Sequence, residues 1–201
     1  MGQKLLSPGE WAVLGLLVER PRHGFALVKA MAPGGEIGRV WSLPRPLVYR
    51  ALSTLQAKGL ASAAGLERSE VGPLRQVVAP TDDGRDKLFD WLSTPVDHLR
   101  DVRSLLMLKL ALTSRLDRDP QPLLEAQARH FSVLVQALER RADEAENRFD
   151  RLLMLWRLES GQAALRFLEQ APGVVRTAAP AEEPDGRPAA GRATRRPPAQ
   201  I

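Results

Sequence analysis

The hydrophobic positions between residues 43 and 60 recur at the spacing of a short amphipathic helix. Its apolar side chains share one face, and these are Leu47, Val48, Ala51, Leu52 and Leu55. The opposite face carries polar and basic side chains, namely Arg45, Tyr49, Arg50, Ser53, Thr54 and Lys58. Gly59 suits the left-handed residue that ends a helix. Because so short a helix is unstable alone in water, we expect it to pack on neighbouring elements and to expose its basic face.

Two further helices are predicted before this one. Ser7 and Glu10 have the spacing of a capping box with proline at the first helical position, which predicts a helix over residues 8–19. The side chains expected on its buried side are Trp11, Leu14, Leu17 and Val18. A second helix is predicted from His23 to about Met31. Its candidate core residues are Phe25, Leu27 and Val28. Residues 36–43 are predicted to form a loop.

The segment after the basic helix predicts a β-hairpin and a fourth helix. Residues 60–66 and 74–79 have the composition of strands, and a polar turn separates them. Thr81 is a predicted N-cap for a helix that ends near Leu92, with Leu88, Trp91 and Leu92 facing inward. Three helices, a hairpin and a helix in this order are typical of a winged helix-turn-helix. The alternative is a small three-helix domain whose hairpin has no part in DNA binding.

The second half of the chain has a different pattern. Residues 99–116 predict a helix that is apolar on most sides, and proline and glycine are then absent from Leu123 to Ser160. Within that stretch the apolar residues alternate at spacings of four and three, as in a coiled coil. They are Leu124, Ala128, Phe131, Val135, Leu138, Ala142, Ala145, Phe149, Leu152 and Trp156. This pattern predicts a dimerisation arm, which is one helix or two with a bend near residues 146–147. The alternative is an amphipathic helix that packs on its own domain.

These patterns predict a mainly α-helical protein with a small β-hairpin. We expect a winged helix-turn-helix domain over residues 1–93 and a helical dimerisation domain over residues 94–171. Residues 172–201 are rich in Pro, Ala, Gly and Arg and are expected to be a disordered tail.

Composition narrows the functional classes. The net charge is +5, and the excess lies in residues 1–93 and 172–201, which suits contact with nucleic acid. The absence of cysteine excludes disulfides and thiolate metal sites. No apolar run is long enough to span a membrane and the N-terminus does not resemble a signal peptide, so a cytoplasmic location without membrane contact is expected.

The sequence offers little support for an enzyme. His23, His98 and His130 are not at metal-binding spacing, and the phosphate-binding, nucleophile-elbow and dinucleotide motifs are absent. We therefore expect neither catalysis, nor a cofactor, nor a metal. A third class is a coiled-coil adaptor that does not bind DNA. The coiled-coil spacing of the apolar residues favours this class, whereas the basic helix argues against it.

Double-stranded DNA is accordingly the expected partner. We expect four residues of the basic helix to face the major groove or its phosphates, namely Arg45, Tyr49, Arg50 and Thr54. Contacts with the neighbouring backbone are expected from Lys58, Arg68 and Arg75.

Several short motifs follow one another along the chain, namely Leu14-Gly-Leu-Leu17, His23-Gly24-Phe25, Val48-Tyr49-Arg50-Ala-Leu52, Leu55-Gln-Ala-Lys-Gly-Leu60, Thr81-Asp-Asp-Gly-Arg85, Arg103-Ser-Leu-Leu-Met-Leu-Lys109 and the segment from Gly161 to Phe167. In these motifs the chain resembles the PadR family of bacterial transcriptional regulators. The resemblance implies a homodimer, usually a repressor, that binds a near-palindromic operator. It also implies release by a small aromatic or drug-like effector, for which Trp91 and Trp156 are candidate lining residues. Tyr49 lies where the family's tyrosine reaches the DNA backbone.

Overall fold

The fold is mainly helical, with one small antiparallel sheet. The computed structural model describes residues 6–68, 74–142 and 147–176. Its elements are α1 (Pro8–Glu19), β1 (Arg22–His23), α2 (Gly24–Met31), α3 (Arg45–Ala57), β2 (Ala61–Glu67), β3 (Arg75–Pro80), α4 (Asp82–Ser93), a 3₁₀ turn (Leu99–Asp101), a π-helical turn (Val102–Leu106), α5 (Met107–Arg115), α6 (Gln121–Ala142) and α7 (Arg148–Arg176). The first seven of these elements form a winged helix.

Helix α1 is the centre of the N-terminal half. Its predicted capping box is confirmed, because Ser7 Oγ accepts from the N–H of Glu10 at 3.3 Å and Glu10 Oε2 accepts from the N–H of Ser7 at 2.6 Å. Every residue from Trp11 to Val18 is buried. A helix that is apolar all round needs neighbours on every side, and α3, α4, α5 and β3 supply them.

The hairpin is confirmed to within about a residue at each end, but the sheet has a third strand. The strand order is β1-β3-β2, and Arg22 of β1 pairs with Val78 of β3. Two residues are too few to show an alternating pattern, so β1 could not be predicted. Residues 69–73, which include most of the predicted turn, lie outside the described residues.

Two residues predicted to face the core are exposed instead. Phe25 is 51% exposed and Leu47 is 44% exposed. Residues two apart on a helix point in different directions, so Phe25 cannot share the inward side of Leu27. Leu47 lies at the margin of the buried face of α3. Ile37, from the loop after α2, is fully buried and contributes to the core.

The N-terminal core includes part of the C-terminal half. Leu108 and Leu112 of α5 are buried in the same cluster as α1, α2, α3 and α4. A Cβ on Gly15 would lie 2.6 Å from a methyl carbon of Leu112, so the glycine allows α5 to approach α1 closely. Val28 and Trp91 are only half-buried and pack against this cluster.

The apolar spacing predicted over residues 124–156 is divided between two helices, α6 and α7, at the place near residues 146–147 where a bend was expected. The chain turns between α6 and α7, and α7 runs back along α6. Three predicted dimerisation residues are therefore buried within the chain: Leu124, Phe131 and Val135. They pack in or beside a second core with Ala164, Leu168 and Ala171 of α7, and Leu138 is half-buried. The spacing is the same whether the partner helix belongs to another chain or to this one, so it could not distinguish the two.

Ala128 is half-buried against the second core, whereas the predicted apolar residues of α7 are exposed. Phe149, Leu152 and Trp156 are 69%, 61% and 70% exposed on α7. Ala145 and the side chain of Ala142 lie outside the described residues. A capping signal marks the start of α7, because Asn147 Oδ1 accepts from the N–H of Asp150 at 2.9 Å.

Two other segments differ from prediction. The helix expected over residues 99–116 is divided into a 3₁₀ turn, a π-helical turn and α5. Helix α7 continues through Pro172 to Arg176, five residues into the predicted tail, and residues 177–201 lie outside the described residues. Within the described ranges, no helix combines the length and apolar character needed to cross a bilayer.

Candidate nucleic-acid interface

Helix α3 has a buried face and an exposed crest. The buried face is Val48, Ala51, Leu52 and Leu55. The crest consists of Pro46, Tyr49, Arg50, Ser53 and Ala57, all of which are exposed. Gly59, with φ of 71°, ends the helix as predicted and turns the chain toward β2. The predicted exposure of Tyr49, the single tyrosine of the chain, is confirmed at 38%.

A groove runs along each side of this crest. The groove between α1 and α3, here the α1 groove, has a volume of about 680 Å³ and is lined by Arg50, Thr54 and Lys58 among others. The groove between α2, α3 and β3, here the α2 groove, has a volume of about 540 Å³. Its lining includes Arg45, Tyr49 and Arg75. Helix α3 therefore presents basic side chains on both of its flanks.

Two aromatic rings hold the cations of the α2 groove. The guanidinium carbon of Arg45 lies 5.7 Å from the ring centre of Tyr49, and that of Arg75 lies 5.1 Å from the ring centre of Phe25. The Tyr49 ring in turn lies on Gly24, where a Cβ would come within 2.5 Å of Tyr49 Cε1. Gly24 is thus needed for α2 and α3 to approach each other this closely.

Six of the seven predicted DNA-contact residues divide between the two grooves. Arg45, Tyr49 and Arg75 lie around the α2 groove, whereas Arg50, Thr54 and Lys58 lie around the α1 groove. Arg68 is exposed just beyond β2 and belongs to neither lining.

The environments of these side chains differ. Arg45 and Arg50 are exposed, and with the described residues their guanidinium groups form no ion pair. Their positive charge is therefore not neutralised within the described part of the chain. Thr54 is half-buried, and its hydroxyl donates to the carbonyl of Arg50 at 3.0 Å, which makes it less available to DNA. Ser53 takes the crest position instead.

Sequence reasoning did not place Phe25 and Gln76 at this surface, and it placed Ser53 on the exposed face of α3 without including it among the DNA contacts. Ser53 follows Tyr49 by four residues, so helical periodicity contained that signal. Phe25 and Gln76 reach the α2 groove through the packing of α2 and β3 against α3. No local pattern predicts such packing.

Comparison with known families identifies this module. Residues 13–90 match the family described as transcriptional regulator PadR-like. We refer to the matched residues as the PadR-like domain. The description of the family, a transcriptional regulator, agrees with the class predicted from the sequence.

Most of the chain is also similar to solved structures. Bacillus subtilis PadR in complex with operator DNA is 20% identical, with a TM-score of 0.43 over 86% of this chain and 99% of that one. The PadR-like regulator BC1756 from Bacillus cereus is 16% identical, with a TM-score of 0.36 over 85% and 99%. The Vibrio cholerae virulence activator AphA is 19% identical, with a TM-score of 0.36 over 85% and 99%. No curated protein matches the sequence.

A cluster of four charged residues joins the PadR-like domain to α5, and we call it the charge cluster. It consists of Glu19, Arg22, Glu36 and Arg115. Arg115 donates to both carboxylate oxygens of Glu19 at 2.9 and 2.7 Å and also contacts Glu36. Arg22, which is 5% exposed, bonds both glutamates at 3.1–3.2 Å. Hydrogen bonds from Arg22, helped by the charges of Arg22 and Arg115, lower the pKa of Glu36 against the opposing effect of burial.

A buried lysine forms a second connection. Lys109 of α5 is 3% exposed and donates to the carbonyl of Trp91 at 2.5 Å and to that of Thr94, at the end of α4. Its ammonium lies 4.5 Å from the centre of the Trp91 ring, which stacks on Trp11 at 4.9 Å. Burial lowers the pKa of Lys109 to about 8, while Asp97 raises it. Lys109 thus ties α5 to the end of α4, where Trp91 in turn stacks on Trp11 of α1.

The two tryptophans predicted to line an effector cavity are in different surroundings. Trp91 is packed between Trp11 and Lys109, whereas Trp156 is exposed on α7. Neither residue lines the α1 groove or the α2 groove. Their role stays a prediction. Within the described ranges, no cluster of three or more potential metal ligands occurs.

Proposed function

We propose that this protein is a homodimeric repressor in the cytoplasm that inserts α3 into the major groove of a near-palindromic operator. A small aromatic or drug-like effector releases it. The observation that carries the DNA-binding part is the exposed crest of α3 between two basic grooves, within a PadR-like domain.

The dimensions of DNA suit this arrangement. The major groove is about 12 Å wide and admits one helix, so its two sugar-phosphate backbones run on either side of that helix. The α1 groove offers Arg50 and Lys58 to one backbone, and the α2 groove offers Arg45 and Arg75 to the other. The small side chains of Ser53 and Ala57 allow the crest to approach the base edges. Arg50 is long enough to fork onto a guanine.

Dimerisation is supported by an apolar stripe on α7, formed by Phe149, Leu152, Leu155 and Trp156 and here called the α7 stripe. All four side chains are 55–70% exposed. Their spacing of three, three and one places them along one side of the helix. A contiguous patch of large apolar side chains is typical of a protein interface. A second copy would cover the stripe and present two α3 helices to half-sites about one helical turn apart.

Repression and effector release rest on the resemblance to the PadR family. An operator that overlaps a promoter would make the bound dimer a repressor. A ligand that binds between the DNA-binding domains and the α7 stripes would change their spacing and lower operator affinity.

The decisive experiment compares two arginine variants in a gel shift on the DNA upstream of the protein's own gene. We expect Arg50→Ala or Tyr49→Ala to abolish the shift while the dimer persists. Arg166→Ala, which removes the same charge from the exposed surface of α7, should leave the shift unchanged. Wild-type binding should weaken steeply with salt. Full operator affinity in Arg50→Ala would show that α3 is not the helix in the groove.

A further inference from the structure

Phe25 is an exposed aromatic residue that the core of this protein does not require. It is the second residue of α2, and its ring is 51% exposed. The inward side of α2 is filled by Leu27, Ala30 and Met31. Exposing a phenylalanine forgoes the free energy of burying it, so a role for Phe25 has to come from the side chains that it contacts at the surface.

The contact that Phe25 makes is with an arginine of the hairpin. The guanidinium of Arg75 lies over the Phe25 ring at 5.1 Å, within the range of a cation–π interaction. The His23 ring lies on a plane 17° from that of Phe25, with centres 6.4 Å apart. Phe25 therefore connects the start of α2 to β3.

Arg75 has a carboxylate available as an alternative partner. Glu67 is its cross-strand neighbour in the β2–β3 ladder, where opposite charges commonly pair. Arg75 forms no ion pair with the described residues, and the Glu67 carboxylate lies 3.9 Å from His23 Nε2 instead. A guanidinium stacked on a ring keeps its N–H edge and its full charge for another ligand. An ion pair with Glu67 would occupy that edge and cancel the charge.

The N–H edge of the Arg75 guanidinium lies on the surface that would face DNA. Arg75 and Phe25 line the α2 groove together with Arg45 and Tyr49, beside the crest of α3. A planar guanidinium with an unused edge is the side chain best suited to a two-pronged hydrogen bond with a phosphate.

We propose that Phe25 is a positioning residue that holds Arg75 away from Glu67 and ready for a phosphate of the DNA backbone. This inference rests on the proposed DNA-binding function. Phe25 acts through Arg75 and does not itself read the sequence, so its effect on affinity is the same for operator and for non-specific DNA.

The test is a double-mutant cycle in which fluorescence anisotropy measures the affinity of each variant for a non-specific duplex. The duplex is labelled with fluorescein and is about three helical turns long, and the salt concentration is varied from about 50 to 200 mM. We expect Arg75→Ala to weaken binding about ten-fold and to reduce the slope of log affinity against log salt by about one. Phe25→Leu should weaken binding about three-fold, and Phe25→Tyr, which keeps the ring, should bind as the wild type does. In the Arg75→Ala background, Phe25→Leu should have no further effect.

The outcomes separate this inference from the function on which it rests. An additive effect of Phe25→Leu and Arg75→Ala, or a loss in Phe25→Tyr equal to that in Phe25→Leu, would overturn the positioning role. Unchanged affinity in Arg75→Ala alongside a loss in Arg50→Ala would overturn it while the proposed function stands. Equal affinities of Arg50→Ala and Arg166→Ala would contradict the proposed function itself. Thermal unfolding of each variant shows that the changes in affinity do not arise from unfolding.

Discussion

The PadR-like domain and the start of α7 differ in how much apolar surface one chain covers. In the domain, α1 is buried on all sides and α3 exposes mainly polar or small side chains. At the start of α7, the four large apolar side chains of the α7 stripe face solvent. The apolar core of the domain is covered by the same chain, whereas we propose that a partner chain covers the α7 stripe. The difference shows that a strong hydrophobic pattern does not by itself tell whether the same chain or a partner chain covers the apolar residues.

The PadR-like domain and the end of α7 also differ in close approaches of the backbone. A Cβ on Gly84 would lie 2.1 Å from the carbonyl oxygen of Leu60, whereas no atom of the described residues lies within 4 Å of the same position on Gly173 near the end of α7. We expect Gly84→Ala to lower the free energy of unfolding by about 3 kcal/mol or more, because the Leu60 backbone must move. Gly173→Ala should raise it by about 0.5 kcal/mol through helix propensity. Chemical denaturation measures both, and equal effects of the two substitutions would remove the contrast.

The α7 stripe can be tested through the assembly of the chain. Replacing Leu152 and Trp156 by serine should raise the dimer dissociation constant at least about thirty-fold, because each change removes a large apolar side chain from the interface. Sedimentation velocity measures this. Val133→Ser, at a 65% exposed position on α6, is the matched control and should leave the dimer intact. An unchanged sedimentation coefficient in the double variant would place the interface elsewhere.

Lys109 should make stability increase at alkaline pH. Its folded pKa of about 8 lies below the ordinary value of 10.5, so between these values the unfolded chain binds more protons than the folded one. The free energy of unfolding therefore rises with pH in this window, by on the order of 2 kcal/mol from this residue. In Lys109→Met that rise should be missing. Urea denaturation at pH 7.5 and pH 10 measures it, and the same increase in both proteins would exclude Lys109 as its source.

Glu36 should give the charge cluster a pH dependence at the acidic end of the range. Its folded pKa is lowered, so its contribution is present above the ordinary value of 4.5 and is lost as pH falls through the folded pKa. We expect Glu36→Gln to cost about 1 kcal/mol at neutral pH, because the group is partly exposed, and the difference from wild type to shrink in acid. Asp83→Asn breaks the exposed pair with Lys87 and should cost less. Denaturation at pH 7 and pH 3 tests this, and a constant difference would contradict it.

The helices of the PadR-like domain could be predicted because their signals are local. The capping box at Ser7, the N-cap at Thr81 and the left-handed Gly59 are each set by a few neighbouring residues, and all three are confirmed. Strand β1 could not be predicted because its two residues are ordered by pairing with β3. The exposure of Arg45, Tyr49 and Arg50 followed from the periodicity of α3.

The less predictable features depend on which distant elements meet. The sequence over residues 124–156 predicted at most a bend near residues 146–147, because neither proline nor glycine marks a full reversal of the chain there. Asn147, three residues before Asp150, was the local signal for a new helix. The grooves beside α3 and the stacking of Phe25 on Arg75 arise from tertiary packing, so sequence periodicity could not reveal them.

Helix α5 has a consequence for dividing this protein into fragments. The family match ends at residue 90, yet Leu108 and Leu112 belong to the N-terminal core, with Leu112 against Gly15, and Lys109 donates to two carbonyls near the end of α4. A fragment that stops after Ser93 would lack α5 and would leave the side of α1 that α5 covers exposed to solvent. A cut after Leu116 would keep α5 in place, so we expect the smallest fragment that folds on its own to extend 26 residues past residue 90, where the family match ends.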